Sequence, residues 1–206
     1  MTLQGIGRLN IHLFELVNGL ACKNPLLDDL MVLFARYLIL ILPGYLLYLW
    51  FSNSRGIRRR RLSILVLLSS LLSLGIAVGI SSAYYHPRPF VMGIGSPLLG
   101  HAPDSSFPSD HAAVLFAASF SLLLLRSRRS GVGFFLVSST VGLARVFVGI
   151  HFPADILGGL GVGLGASLAI FFLREKLDPI VRWLVCLYEK VAKNLKRAST
   201  ARQAGL

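Results

Sequence analysis

The chain has 206 residues, of which 54% are hydrophobic and only 15% are charged, and its mean hydropathy is +0.69. A soluble domain carries about 25% charged residues. Since the apolar residues also come in long blocks, the composition excludes an ordinary soluble protein and indicates one integral membrane domain. The formal net charge of +12 does not indicate nucleic-acid binding, because the basic residues lie between the apolar blocks and in the tail.

The first segment of the chain has the pattern of a helix with one apolar face. Over residues 5–20 the apolar side chains fall mostly on one side, which predicts an amphipathic helix lying at a membrane interface. Asn24 and Pro25 then interrupt the helix. We therefore expect three regions: an amphipathic amino-terminal segment over 1–25, a membrane domain over 26–175 and a basic cytoplasmic tail over 176–206.

Five apolar stretches follow, and each predicts a membrane-spanning helix. They cover residues 30–51, 62–82, 109–125, 131–149 and 154–173. The chain is therefore expected to be all-α, a polytopic membrane helical bundle with five transmembrane helices, or six if the first segment also crosses. Glycines recur through the last stretch, and small residues let membrane helices approach closely, so we interpret them as packing positions. They are Gly158, Gly159, Gly161, Gly163 and Gly165.

Basic residues predict the orientation of the bundle. With five spans, the loops at 55–61 and 126–129 and the tail all lie on one side, and all are rich in arginine or lysine. Cytoplasmic segments carry an excess of these residues, so the tail is predicted to be cytoplasmic and the amino terminus external. The tail is expected to contain a basic amphipathic helix over 181–195.

Three short polar clusters interrupt the apolar sequence on the predicted outer side. They are residues 86–89 (HPRP), residues 108–111 (PSDH), and Arg145 followed by His151 and Asp155. Ionisable groups at membrane depth are costly, so these clusters indicate a functional site. Arginine matches phosphate oxygens with its fork of donors, and Ser109 caps a helix whose free N–H groups attract anions. Arg88, Arg145 and the helix start after Ser109 are therefore predicted to bind phosphate.

The histidines of these clusters add chemistry that phosphate binding alone does not need. His151 and Asp155 are four residues apart across the start of a helix, so the carboxylate can hold one imidazole N–H and leave the other nitrogen free to attack. His111 is predicted to protonate the leaving oxygen and then to activate water. This set suits phosphoryl transfer without a metal or another cofactor.

Other interpretations of the same region are weaker. A metal site would draw on His101, His111, His151, Asp104 and Asp155. However, no ligand pair lies on one helix face, and two arginines would repel a cation. His86 is interpreted, like His101, as a solvated side chain, and Asp110 as an acid favoured at a helix start. The predicted partners are a lipid phosphate and the bilayer.

The order and spacing of the clusters resemble the type 2 phosphatidic acid phosphatase superfamily, whose three motifs are K-x6-R-P, P-S-G-H and S-R-x5-H-x3-D. Here they read Ser81 to Arg88-Pro89, residues 108–111, and Ala144-Arg145 to His151 and Asp155. The resemblance covers most of residues 30–173. Three positions differ: Ser81 replaces lysine, Asp110 replaces glycine and Ala144 replaces serine. The P-S-D-H form and the opening segment are most similar to bacterial undecaprenyl-diphosphate phosphatases.

This resemblance implies a helical core shared with vanadium haloperoxidases. The roles it implies are a phosphohistidine-forming nucleophile at His151, a partner carboxylate at Asp155, a general acid at His111, and phosphate binding by Arg88, Arg145 and Ser109. The lysine missing at Ser81 removes one phosphate contact, for which Arg36 or His86 is a candidate replacement.

We therefore expect a multi-pass enzyme of the bacterial plasma membrane with its active site on the outer face. It would hydrolyse undecaprenyl diphosphate to undecaprenyl phosphate and so recycle the carrier for cell-wall synthesis. One alternative is a phosphatase or phosphotransferase acting on phosphatidylglycerol phosphate, phosphatidate or lipid A. A non-enzymatic lipid transporter is a further alternative, but it predicts polar groups spread through the membrane depth, whereas here they gather at one face.

Overall fold

The structure is a computed structural model that describes residues 3–52 and 56–203, and within those ranges all regular secondary structure is helical. Seven α-helices follow one another along the described part of the chain. They are α1 (Leu3–Asn18), α2 (Pro25–Tyr37), α3 (Ile41–Phe51), α4 (Gly56–Ala83), α5 (Asp110–Leu124), α6 (Arg128–Phe147) and α7 (Pro153–Gln203). A 3₁₀ turn over Leu38–Leu40 joins α2 to α3. The prediction of an all-α protein is confirmed.

Four helical segments of the described chain are long and apolar enough to cross a membrane. They are Pro25–Phe51, Gly56–Ala83, Arg128–Phe147 and Pro153–Asn194. The remaining predicted span is α5, which is apolar but has only 15 residues, or about 22 Å of helix. It packs against α4, α6 and α7, and nine of its residues are buried, so protein covers most of its surface. The chain is a multi-pass membrane protein.

The apolar core of the bundle lies along α5. Leu115 and Leu122 of this helix join Val66 of α4 and Val141 of α6 in one buried cluster. Much of the rest of α5 is alanine and serine, and these small side chains let α7 approach its backbone. The central position of α5 matters for the site, because its first residues belong to the PSDH cluster.

Glycines of α7 make the closest approach to α5. A Cβ on Gly163 would lie 2.7 Å from the backbone nitrogen of Ala117 and 2.8 Å from the carbonyl oxygen of Ala113. Gly159 approaches α5 equally closely, whereas Gly161 has no neighbour within 4 Å. The packing interpretation therefore holds for some of these glycines and not for all of them.

We expect Gly163→Ala to lower the free energy of unfolding by about 1–3 kcal/mol, because the added methyl group meets backbone atoms that cannot move aside. Gly161→Ala is the matched control, since its methyl group meets no atom and alanine is the better helix former. Thermal unfolding in detergent compares the two variants. Equal melting temperatures would contradict the packing role of Gly163.

The first helix packs across the end of the bundle where α6 ends and α7 begins. Phe14 is fully buried and packs on Phe152, with ring centroids 5.3 Å apart. The side-chain amide of Asn18 donates to the carbonyl oxygen of Phe147 at 2.7 Å, and Asn10 accepts a hydrogen bond from the first turn of α7. α1 therefore supports the α6–α7 link. Its location at a membrane interface stays a prediction.

The basic block predicted as a loop at 55–61 is helical from Gly56 onward. Arginine is a good helix former, so α4 continues beyond its apolar stretch. Arg60 donates to Glu189 at 2.6 Å, and Arg61 pairs with Asp178 at 2.6 Å. These contacts join the start of α4 to the far end of α7.

The last apolar stretch and the basic tail form one helix of 51 residues. Pro179 lacks one backbone N–H but does not end α7. Val181 and Val185 are buried beyond it, and Trp50 of α3 packs on Tyr188 with ring centroids 5.0 Å apart. The tail is helical, as predicted for 181–195, and packs back on α3 and α4. Its cytoplasmic location and the boundary at residue 175 stay predictions.

Candidate active site

The three polar clusters meet at the end of the bundle where α5 and α7 begin. The Ser109 N–H donates to the carbonyl oxygen of Asp155 at 3.1 Å, and the Leu98 N–H donates to that of Val148 at 3.1 Å. These bonds hold the α4–α5 loop against the α6–α7 link around a cavity of about 310 Å³. Its ionisable lining residues are Arg88, His101, Asp104, Asp110, His111, Arg145 and His151.

Arg88 is buried, and its guanidinium group is held on three sides. Nε donates to Oδ1 of Asp104 at 2.7 Å, and Nη2 donates to the carbonyl oxygen of Ser105 at 3.2 Å. Nη1 donates to the carbonyl oxygen of Ile150 at 2.9 Å and lies 3.2 Å from Nε2 of His151. The guanidinium group is thereby fixed beside the imidazole ring.

Arg145 reaches the same imidazole from α6. Its Nη1 donates to the carbonyl oxygen of Ala35 in α2 at 3.1 Å, and its Nη2 lies 3.3 Å from Nε2 of His151. Its Nε is buried and has no hydrogen-bond partner within the described residues. A second buried guanidinium group therefore faces His151 and retains a free donor.

These contacts determine the tautomer of His151. Guanidinium groups can only donate, so Nε2, which faces both of them, is the unprotonated nitrogen. The proton is then on Nδ1, which lies 2.9 Å from the carbonyl oxygen of Ser106 and donates to it. The lone pair of Nε2 is consequently directed toward the two arginines.

The pKa of His151 is lowered well below its usual value of 6.5. Burial is the main cause, because it disfavours the charged ring, and the neighbouring positive charges of Arg145 and Arg88 act in the same direction. The backbone hydrogen bond to Ser106 opposes this change. The ring is therefore neutral at pH 7, as a nucleophile requires.

Asp155 is buried beside the Nδ1 face of this ring. Its Oδ2 accepts hydrogen bonds from the Ser106 hydroxyl and, at 2.7 Å, from the Phe152 N–H, and lies 3.4 Å from Nδ1 of His151. Its Oδ1 has no hydrogen-bond partner among the described residues and lies 3.9 Å from Nδ1 of His86. Asp155 is thus near His151 as predicted, but the closer acceptor for the imidazole N–H is the carbonyl oxygen of Ser106.

Ser109 and His111 lie at the start of α5. Ser109 occupies the predicted N-cap position, but its side chain makes no capping bond, and its buried Oγ has no hydrogen-bond partner within the described chain. The expected capping bond is therefore absent. His111 is half-buried and lines the cavity together with His151. His111 therefore remains available to a bound ligand, whereas Ser109 is fully buried and is not among the residues that line the cavity.

The structure shows where Ser81 and the two candidates to replace the motif lysine lie relative to the cavity. Ser81 lines the cavity, and its hydroxyl donates to the carbonyl oxygen of Phe107 at 3.0 Å. Neither Arg36, which is exposed and lies over the Tyr37 ring, nor His86 lines the cavity. Neither of the two candidates is therefore placed to replace the lysine.

The donors around the cavity suit an anion better than a cation. Two buried guanidinium groups converge there, and arginine pairs well with phosphate oxygens. Within the described residues, no group of three or more histidine, cysteine or acidic side chains is arranged to hold a metal ion.

Sequence reasoning missed Ser106 and considered Asp104 only as a possible metal ligand. Ser106 contacts both His151 and Asp155, and Asp104 holds the Nε of Arg88. Ser106 is fully buried. The signal that could have identified it is its position two residues before the PSDH cluster. Asp104 offered a second signal, because acidic residues are rare in this part of the chain.

Comparisons with known proteins identify the family of this chain. A family model described as the PAP2 superfamily matches residues 61–178. Undecaprenyl-diphosphatase BcrC of Bacillus subtilis is 32% identical over 193 residues, which cover 93% of this chain and 98% of that protein. The putative undecaprenyl-diphosphatase YbjG of Escherichia coli is 33% identical over 161 residues, covering 78% of this chain and 80% of that one. The crystal structure of Aquifex aeolicus LpxE matches with a TM-score of 0.62 at 25% identity, covering 79% of this chain and 94% of that one.

Proposed function

The chain belongs to the PAP2 superfamily, and from this membership we propose that it removes the terminal phosphate of undecaprenyl diphosphate at the outer face of the bacterial plasma membrane. Its family and relatives make it a membrane lipid phosphatase, which is a hydrolase. The substrate, the membrane face and a phosphohistidine intermediate are the proposed parts. The observation that carries the phosphohistidine intermediate is the unprotonated Nε2 of His151 between two buried guanidinium groups.

Arg88, Arg145 and Ser109 bind the terminal phosphate in this proposal. The guanidinium nitrogens nearest to Nε2 of His151 lie 3.2 and 3.3 Å away, so oxygens of a phosphate in front of Nε2 come within their reach. Arg145 Nε and Ser109 Oγ add two buried donors that have no partner among the described residues. Together these donors neutralise the charge on the phosphate oxygens in the transition state.

In the first step, Nε2 of His151 attacks the phosphorus atom. An N–P bond forms while the bond between phosphorus and the bridging oxygen breaks, and His111 gives the leaving oxygen a proton that it takes up when the anionic head group binds beside it. The proton on Nδ1 stays on the ring, held by the carbonyl oxygen of Ser106. The carboxylate of Asp155, 3.4 Å away, offsets the positive charge that develops there.

In the second step, water attacks the phosphohistidine. His111, which is now neutral, takes the proton from the water as the new P–O bond forms. The N–P bond breaks and its electron pair returns to Nε2 of His151. Inorganic phosphate and undecaprenyl phosphate are the products, and both histidines regain their starting protonation states.

The proposed orientation rests on the distribution of arginine and lysine. Basic residues concentrate at the α4 start, at the α5–α6 turn and in the tail, all at the end of the bundle remote from His151. The positive-inside rule places this end in the cytoplasm and the site outside. In this arrangement residues 26–175 form the phosphatase domain and residues 176–206 form a cytoplasmic tail.

Two observations support a polyprenyl diphosphate as substrate. Two relatives that match most of this chain carry the name undecaprenyl-diphosphatase. In addition, Val78 and Ser82 line the active-site cavity and are also exposed on the surface of α4. The cavity therefore reaches the surface along α4, and in this proposal a long prenyl chain stays in the bilayer beside this helix while its head group enters.

A substrate panel tests the proposal. Purified protein with a chelator receives undecaprenyl diphosphate, phosphatidylglycerol phosphate, phosphatidate or lipid A, with and without an acceptor lipid, and released phosphate is measured. We expect kcat/KM for undecaprenyl diphosphate to exceed the others by at least about tenfold, a difference of 1.4 kcal/mol. A higher value for another lipid would overturn the substrate, and phosphate appearing on the acceptor lipid would indicate a phosphotransferase. Release from none of the four would contradict hydrolysis itself.

A further inference from the structure

A second cavity, of about 390 Å³, lies at the opposite end of the bundle from the proposed active site. It is bounded by α3, by the first turns of α4, by the turn between α5 and α6, and by α7. Arg61 of α4 lines this cavity, whereas Ser81 of the same helix lines the active-site cavity. The helix between these residues is about 30 Å long at 1.5 Å per residue, so the two cavities are separate sites.

Arginine side chains dominate the lining of this second cavity. Five arginines contribute to it, together with two tyrosines and two serines, and no acidic side chain lines it. The arginines are Arg58, Arg59, Arg61, Arg126 and Arg174. Leucines from α3, α4 and the end of α5 form the rest of the wall. The lining thus combines cationic and apolar side chains.

Two of these arginines have no partner of their own. Arg61 is paired with Asp178 at 2.6 Å, and Arg174 donates to the carbonyl oxygen of Phe171 at 2.9 Å. Arg58 and Arg126 make no hydrogen bond or ion pair with any described residue. Their charges are therefore available to a ligand in the cavity.

The backbone of Arg126 has a conformation that glycine usually adopts at the end of a helix. Its φ is +63°, in the left-handed region, directly after the residue that caps α5. Glycine is the usual residue at such a helix end, because it adopts this conformation without strain. An arginine here strains the backbone, and residues in strained conformations cluster at functional positions.

We propose that this cavity binds the phosphate group of an anionic membrane lipid. Guanidinium forks match phosphate oxygens, and the leucine wall offers contact to an acyl chain. If these arginines served only to orient the protein in the membrane, they would have to place positive charge on one side of it and nothing more. Such a role has fewer structural requirements than a binding site. It requires neither convergence of five arginines on one cavity nor an arginine in the left-handed conformation.

The test compares two double variants that each lose two positive charges at the same end of the protein. Arg58→Gln with Arg126→Gly removes the unpartnered arginines of the cavity. Arg128→Gln with Arg129→Gln is the matched control, because these residues are exposed and do not line it. The active site is intact in both, so any lipid bound there contributes equally, and retained phosphatase activity shows that each variant is folded.

Binding is measured by native mass spectrometry in neutral detergent, with phosphatidylglycerol, phosphatidylcholine or inorganic phosphate as probe. We expect the affinity for phosphatidylglycerol to fall at least about tenfold in the cavity variant, because charged hydrogen bonds are lost, and to stay unchanged in the control. If the double variant does not fold, Arg126→Gly alone should weaken binding about threefold without lowering the melting temperature, because glycine relieves the strain.

Three results would overturn the proposal. A change in lipid affinity that is the same in the cavity variant and in the control would show that the cavity arginines have no specific part in lipid binding. Phosphatidylcholine binding as tightly as phosphatidylglycerol would show that the net charge of the lipid is not recognised. Displacement of phosphatidylglycerol by inorganic phosphate at equal concentration would identify the free anion as the ligand.

Discussion

His151→Ala is expected to lower kcat/KM for undecaprenyl diphosphate by more than about 10⁴-fold, the loss typical of removing a nucleophile. The reason is that both guanidinium groups converge on Nε2, so no other atom at the site is placed to attack a phosphate that they hold. Phosphate release is the measurement. His12→Ala, at an exposed position of α1, is the control and should retain full activity.

The same variant tests the covalent intermediate. Wild-type protein quenched during turnover of terminally labelled substrate should carry label that is stable in alkali and labile in acid, because P–N bonds hydrolyse in acid. His151→Ala should carry none. Turnover that persists in His151→Ala, or label that is stable in acid, would contradict nucleophilic attack by this imidazole.

The sequence alone located much of the site because charge is rare in this chain. Ionisable residues at membrane depth require a reason, so Arg88, Arg145 and His151 stood out from their apolar surroundings. Motif spacing then related them to one another. The structure brings all three side chains to one cavity.

The groups that orient these side chains could not be predicted in the same way. Three of them are backbone carbonyl oxygens, those of Ser106, Ile150 and Ala35, which bind His151, Arg88 and Arg145. Every residue has a carbonyl oxygen, so side-chain type gives no signal for this role. Only the three-dimensional path of the chain shows which carbonyl oxygen faces which donor.

The residues at which the helices begin and end could not be predicted from hydropathy either. Hydropathy indicates where a chain leaves the membrane, but an α-helix continues as long as its backbone bonds and side-chain contacts favour it. Arg60 and Arg61 lie beyond the apolar part of α4, and their ion pairs with Glu189 and Asp178 stabilise both helices there. The basic residues on which the predicted orientation rests therefore also bind the last helix.

His111→Gln is expected to cause the second largest loss of activity, and the size of this loss should depend on the leaving group. Loss of a general acid and base costs about 10²- to 10⁴-fold, and glutamine replaces the ring without transferring a proton. A phosphatidate releases a strongly basic alkoxide, which needs that proton. A diphosphate releases a phosphate whose second pKa is about 6, which needs it much less. The loss in the first step should therefore be larger for phosphatidate than for undecaprenyl diphosphate.

Single-turnover experiments on His111→Gln separate the two steps, because the second step requires a base whichever lipid supplied the phosphate. With undecaprenyl diphosphate, the variant should form the phosphohistidine on His151 readily and hydrolyse it slowly, so labelled enzyme accumulates above the wild-type level. With phosphatidate, formation itself should be slow and little label should accumulate. His101→Gln makes the same substitution elsewhere in the cavity lining and should preserve both rates. Equal losses on the two lipids without accumulation would remove His111 from the proton transfers and leave it a role in binding.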